Sequence, residues 1–192
     1  MTLRRRKQSP STAQQAPEPK STPVNERTPF WTATTSDDGH NVNIALNAKL
    51  PAALVQQAHA FFATTWQTRG TEALLLIYCD PNTLDFRLVA PPQHNTSGSV
   101  NADPIPAPEG YDEIGSIHSH PGSAFHSPTD VHDEQQTEGI HIVFGHVQRF
   151  VPEVVAAISI QGRRYPISPA DVIELPWEYH GPWSEQLHGE PS

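Results

Sequence analysis

The sequence predicts a single α/β domain with a mixed β-sheet flanked by helices, spanning residues 28–175, and three observations predict it. One long stretch carries apolar side chains at helical spacing, several short runs are continuously apolar or alternate as strands do, and helices and strands are interleaved along the chain.

Taken in order, residues 41–46 (NVNIAL) alternate polar and apolar side chains, as a half-buried strand does. Leu50, Leu54, His59, Phe61, Phe62 and Trp66 then recur at helical spacing behind Pro51, a good first-turn residue. Arg69-Gly70 ends that helix. Residues 72–79 (EALLLIYC) form a short apolar run that reads as a buried strand. Asp80-Pro81-Asn82 makes a turn, and residues 85–90 (DFRLVA) return as the second strand of a hairpin. Residues 91–108, rich in Pro, Asn, Ser and Gly, read as a long surface loop of the kind that often forms a lid or rim. A strand over 113–119, a helix over 128–138 and strands over 140–144, 154–160 and 163–167 follow, with Gln161-Gly162 as a tight turn.

The composition bounds what surrounds this domain. Only 36% of the 192 residues are hydrophobic, and the apolar deficit concentrates in residues 1–27, which contain four prolines. Six of the twelve Lys and Arg residues lie there (Arg4, Arg5, Arg6, Lys7, Lys20, Arg27) against two acids, a net charge of +4. The rest carries six bases against nineteen acids, a net −13. Residues 1–27 are therefore expected to be a disordered, basic, Pro-rich tail, and 176–192 a flexible C-terminal tail containing Trp177 and Trp183. So acidic a body argues against nucleic acid as the main ligand, because phosphate binding requires a clustered basic face. No apolar run approaches the ~20 residues that span a bilayer, and no secretory signal is evident, so the expectation is a cytoplasmic protein without a membrane partner. The single cysteine, Cys79, sits in an apolar run and reads as a small buried hydrophobe rather than a nucleophile.

The chemistry concentrates in residues 117–130 (IHSHPGSAFHSPTD). At a strand end successive side chains alternate faces, so His118 and His120 project to one side and Ser119 to the other. The small residues that follow allow a sharp turn, and Ser127-Pro128-Thr129-Asp130 starts a helix whose first turn can bring Asp130 back to the histidines. Two histidines, one carboxylate and an open position are the ligand count of a catalytic zinc site. A purely structural role is also available: Ser127 suits an N-cap, Pro128 the first helical position and Asp130 the third, so the helix needs them without a metal. The two roles are compatible, and the combination is more specific than either part. Among the other histidines, His126 is expected on a surface loop, His132 facing away from Asp130, and His141 and His146 as structural residues flanking a buried strand.

This segment resembles the JAMM signature of JAB/MPN zinc metalloproteases, in which His-x-His-Pro precedes Ser-x-x-Asp and an upstream strand supplies a glutamate. The resemblance covers residues 40–170 and implies a cytidine-deaminase-like architecture. It further implies that His118, His120 and Asp130 bind zinc, that Ser127 steadies the tetrahedral intermediate, and that Glu72 is the general base. Glu113 is a poorer candidate for that base, because it lies five residues before His118, on the opposite face and roughly 16 Å away at strand rise. The run around Ala124 to Asp130, with Pro91-Pro92-Gln93, looks most like bacterial JAB proteins found with ubiquitin-like conjugation or PRTRC-type gene systems.

The reaction so implied is metal-assisted hydrolysis of a peptide or isopeptide bond. Zinc brings the pKa of water to about 7 and a carboxylate removes the proton. The implied substrate is the C-terminus of a ubiquitin-like protein or its conjugate, with E1-like and E2-like proteins as potential partners. A cupin would require an acid soon after His-x-His, and a (β/α)₈ barrel takes ~250 residues. The alternative from a different class is a catalytically inactive MPN scaffold or ubiquitin-like-binding module. One departure favours it: the loop from His120 to Ser127 is one residue shorter than the family's usual loop.

Overall fold

The computed structural model of the chain describes residues 24–35 and 42–177. In chain order its elements are β1 (Asn25–Arg27), β2 (Trp31–Thr35), β3 (Val42–Leu46), α1 (Ala52–Arg69), β4 (Leu74–Cys79), β5 (Phe86–Val89), β6 (Gln93–Asn95), β7 (Val100–Ala102), β8 (Asp112–Ser119), α2 (Pro128–Glu134), β9 (Gly139–Gly145), β10 (Glu153–Ile160), β11 (Arg163–Ile167) and α3 (Pro169–Val172). The expected N-terminal basic run and Trp183 lie outside the described residues.

Six strands form the central sheet in the order β11-β10-β9-β8-β4-β5. Only β8 and β9 pair in parallel; every other neighbour is antiparallel. The sheet is therefore mixed, as expected, with helices flanking it. A parallel pair cannot be joined by a hairpin and needs a crossover of a dozen or more residues. The segment between Ser119 and Gly139 is that crossover, and it carries α2.

Register decides which side chains share a face. His118 pairs with Leu74 and with Val143, and Ser116 with Leu76 and His141. Leu74, Leu76, Ser116, His118 and His141 thus project to one side, where α2 and the β6–β7 hairpin lie over them. Ile77, Ile140 and Ile142 project to the other side and meet Phe30, Leu50 and Val172. Phe62 of α1 stacks edge-on against Phe144 of β9, with ring centroids 5.8 Å apart. Both are fully buried, and removing one such ring costs about 3–5 kcal/mol.

Helix α1 ends as its sequence requires: Gly70 takes the left-handed conformation (φ 65°) and its N–H bonds to the Trp66 carbonyl. Pro51 serves as N-cap rather than first-turn residue. Three expectations are corrected. Residues 91–108 are not one irregular loop, because β6 and β7 pair within them. The helix expected over 128–138 stops at Glu134, since the chain must turn at Gly139 (φ 132°) to enter β9. A three-stranded sheet, β1-β2-β3, precedes α1 where one strand was expected, and β1 falls in the last residues of the segment read as tail.

Cys79 is buried, and burial together with Asp80, Asp85 and Asp112 pushes its thiol up to about 11. That environment suits an inert hydrophobe. No helix among the described residues is long and apolar enough to cross a membrane.

Candidate metal centre

The site is assembled at the end of β8. His118 is the penultimate residue of that strand, and the backbone N–H of His120 donates to the Phe144 carbonyl at 2.7 Å, so the ladder continues past the strand end. Alternation holds through this stretch: His118 and His120 face the same side, while Ser119 Oγ turns away to accept from the Ala73 N–H at 3.0 Å. Both imidazoles are buried, and their Nε2 atoms face each other at 3.2 Å.

Asp130 arrives from α2. Ser127 is the N-cap: its Oγ accepts from the Asp130 N–H at 3.2 Å, while Asp130 Oδ2 accepts from the Ser127 N–H at 2.6 Å, a reciprocal capping box. The same Oδ2 lies 3.5 Å from His118 Nε2 and 3.6 Å from His120 Nε2. A carboxylate oxygen has two lone pairs, so capping and ligation do not compete.

These distances test whether the donors fit a metal. A tetrahedral ion with ligands about 2.1 Å away requires donor atoms roughly 3.4 Å from one another. Separations of 3.2, 3.5 and 3.6 Å match that triangle. The donor set therefore fits a small divalent cation, with a fourth position open toward the cleft. The Ser123 backbone lies close enough to the His120 ring to favour its charged form, and neighbours of this kind help to orient a metal-ligating imidazole.

Glu72 reaches the site through the β4–β8 register. Leu74 pairs with His118, and the Ser119 N–H donates to the Ala73 carbonyl, so continuing the ladder by one step sets Glu72 opposite His120. Directly opposed antiparallel residues share a face and have Cβ atoms about 5 Å apart. Glu72 lies two residues before β4 proper, and its own N–H is held by the Thr96 carbonyl beyond β6. Its side chain is buried and lines the cleft with His120, Ser127 and Asp130.

The two carboxylates are electrostatically distinct. Burial raises the pKa of Glu72; His120 and His118 pull it back only in part, and Asp130 adds to the rise. Burial acts the same way on Asp130, but His118, His120 and the Ser127 contact overcome it and hold its carboxyl well below the usual range. One acid is thus kept ionised and the other made more basic, a division suited to a ligand and a proton acceptor.

The cleft, about 340 Å³, is walled on one side by Ser97, Gly98, Ser99 and Val100 and on the other by Pro121, Phe125 and Thr129. Residues 91–108 were expected to form a rim, and part of them does. Phe125 was not anticipated: its half-exposed ring stands edge-on to His120, with centroids 4.8 Å apart. A lone Phe in a small-residue loop carries no periodic signal that would have found it.

Two other expectations are corrected. His126 is not a surface residue, since its side chain is 6% exposed and Nδ1 lies 2.6 Å from Glu134 Oε1. Glu113 does not face away from His118 but borders the adjoining groove with it, because the ladder shifts register near Gly115, whose φ is 147°. Its carboxylate accepts from the Tyr78 hydroxyl at 3.3 Å. His132 is exposed, as expected. His141 is a buried structural histidine, bonded to Ser116 Oγ at 3.2 Å and the Thr137 carbonyl at 3.0 Å.

No protein-family profile and no curated protein matches the sequence. Among solved structures, a JAB1/MPN domain protein from Archaeoglobus fulgidus aligns with a TM-score of 0.46 and 16% identity, covering 66% of this chain and 100% of that one. A protein from Desulfitobacterium hafniense, solved in solution, aligns with a TM-score of 0.45 and 14% identity, covering 69% of this chain and 94% of the other.

Proposed function

We propose that this chain is a zinc-dependent hydrolase of the JAMM type, cleaving a peptide or isopeptide bond. The observation that carries the reading is the triangle of His118 Nε2, His120 Nε2 and Asp130 Oδ2, with Glu72 opposite His120 on the same face. Residues 24–177 act as the catalytic domain, since β1 pairs with β2 and the Trp177 ring packs 5.5 Å from His59.

His118, His120 and Asp130 would hold the metal. When bound there, zinc supplies Lewis acidity that polarises a carbonyl and acidifies water. Glu72, whose pKa burial raises, takes the proton from the attacking water and returns it to the leaving amine. Ser127 accepts the Asp130 N–H through its oxygen, which leaves its own O–H free to donate into the cleft. That donor stabilises the charge developing on the carbonyl oxygen. Phe125 and the 97–100 segment narrow the approach and limit water around the reacting bond.

By the motif resemblance the substrate is the C-terminus of a ubiquitin-like protein or its conjugate, met in a bacterial cytoplasm beside E1-like or E2-like proteins. Nothing in the site favours the alternative of a non-catalytic scaffold or binding module. The shortened loop after His120 is the feature that suggested it, and the capping box it leads into brings Asp130 to both histidines. The test is hydrolysis of ubiquitin-like fusion proteins by wild type, Glu72→Gln and His120→Ala. Cleavage by wild type alone is expected; equal cleavage by all three overturns the reading.

A further inference from the structure

Helix α2, which carries Asp130, lacks the usual means of staying in place. It has seven residues, too few to be stable in isolation. Its only fully buried side chain is a charged one, Glu134, and its apolar contribution is a single half-buried Val131 beside an exposed Pro128. Glu134 follows Asp130 by four residues and therefore lies on the same face one turn later.

Both oxygens of Glu134 are engaged. Oε1 accepts from His126 Nδ1 at 2.6 Å, and Oε2 accepts from Arg164 Nε of β11 at 2.7 Å. All three side chains are well buried: 6% exposed for His126 and Glu134, 16% for Arg164. With Nδ1–H committed to Glu134, His126 Nε2 is left buried without a partner. A buried, incompletely satisfied charge network is a poor source of stability, and its best-attested use is to specify one geometry.

We propose that Glu134, gripped by His126 and Arg164, is a positioning residue for the metal centre: it locks α2 to the loop before its N-cap and to the sheet, and thereby holds Asp130 in register with His118 and His120. The proposal rests on the zinc-site reading above. His126 adjoins the N-cap, so one carboxylate closes the helix at both ends. Arg164 ties that closed unit to the strand at the sheet edge, three strands from the histidines.

The test is zinc affinity, measured by competition with a chromophoric chelator, with circular dichroism confirming the fold. Glu134→Ala and Arg164→Met are compared with Arg164→Lys and with Ile158→Val, a core change whose paired residue, Ile140, faces away from α2. The expected result is an affinity loss of about tenfold or more in Glu134→Ala. A smaller loss is expected in Arg164→Met, partly recovered in Arg164→Lys, with Ile158→Val within twofold of wild type. Folded Glu134→Ala and Arg164→Met proteins that bind zinc within twofold of wild type overturn the proposal. If Glu134→Ala does not fold, Arg164→Met, which keeps the His126–Glu134 bond, decides alone. A wild type that takes up no zinc overturns the metal-site reading and this proposal together, and is distinguishable because it requires no variant.

Discussion

Glu72 stands directly across the β4–β8 ladder from His120, one antiparallel step beyond the Ala73–Ser119 contact. An acid is thereby placed beside the ligand triangle without belonging to it, and backbone hydrogen bonds rather than a flexible loop fix the separation. Glu72→Gln keeps the shape and removes the proton acceptor. Zinc content should be unchanged while turnover of a ubiquitin-like fusion falls about 10²–10⁴-fold. Loss of zinc in the same variant would instead make Glu72 a ligand.

Ser127 has two separable tasks. Ser127→Ala removes the cap acceptor, costing about 1 kcal/mol of stability, and removes the hydroxyl donor, costing about 10²–10³ in turnover. Ser127→Asp restores a cap acceptor without a hydroxyl. Its melting temperature should recover toward wild type and its turnover should not. Recovery of both would leave the serine only a structural role.

Gly145 lies where the segment after His120 crosses the end of β9. A methyl group there would overlap the Ala124 backbone nitrogen and the Ser123 carbonyl carbon. The Ser123 backbone also adjoins the His120 ring. Gly145→Ala should destabilise the fold by roughly 1–3 kcal/mol and weaken zinc binding, readable by thermal melting and chelator competition. A stable variant with wild-type affinity would show that this loop does not orient His120.

His141, on the same sheet face as His118, offers a pH signature. Burial lowers its pKa, and the Glu134 charge and the Thr137 carbonyl only partly offset that. The unfolded chain takes up this proton near pH ~6.5, whereas the folded chain does so only at lower pH. The stabilising contribution is therefore complete above pH ~6.5 and is lost as pH falls toward the folded value. The melting temperature should drop between pH 7 and pH 5, and His141→Gln should flatten that slope. An unchanged slope would assign the acid sensitivity to other groups.

The sequence was most legible where a regular period or a local hydrogen bond decides the outcome. The alternation at His118 and His120, the Ser127–Asp130 cap and the Gly70 terminus all follow from neighbouring residues, and the structure has each of them. Departures arise where distant segments decide. The face of Glu113 depends on a register shift at Gly115, whose conformation accommodates the close approach of Ile140. Burial of His126 depends on Glu134 and Arg164, 8 and 38 positions away, and a single histidine in a polar loop gives no hint of either. The β6–β7 pair was hidden because three-residue strands in Asn- and Ser-rich sequence have too little apolar alternation to register.

The central claim is that His118, His120 and Asp130 bind a catalytic zinc ion, and metal content tests it most directly. Purified wild type is expected to carry about one zinc per chain by plasma mass spectrometry, with His120→Ala and Asp130→Asn folded and metal-free. A folded wild type that contains no zinc and takes up none when it is added would contradict the account, leaving Ser127 and Asp130 as a helix cap beside two buried histidines.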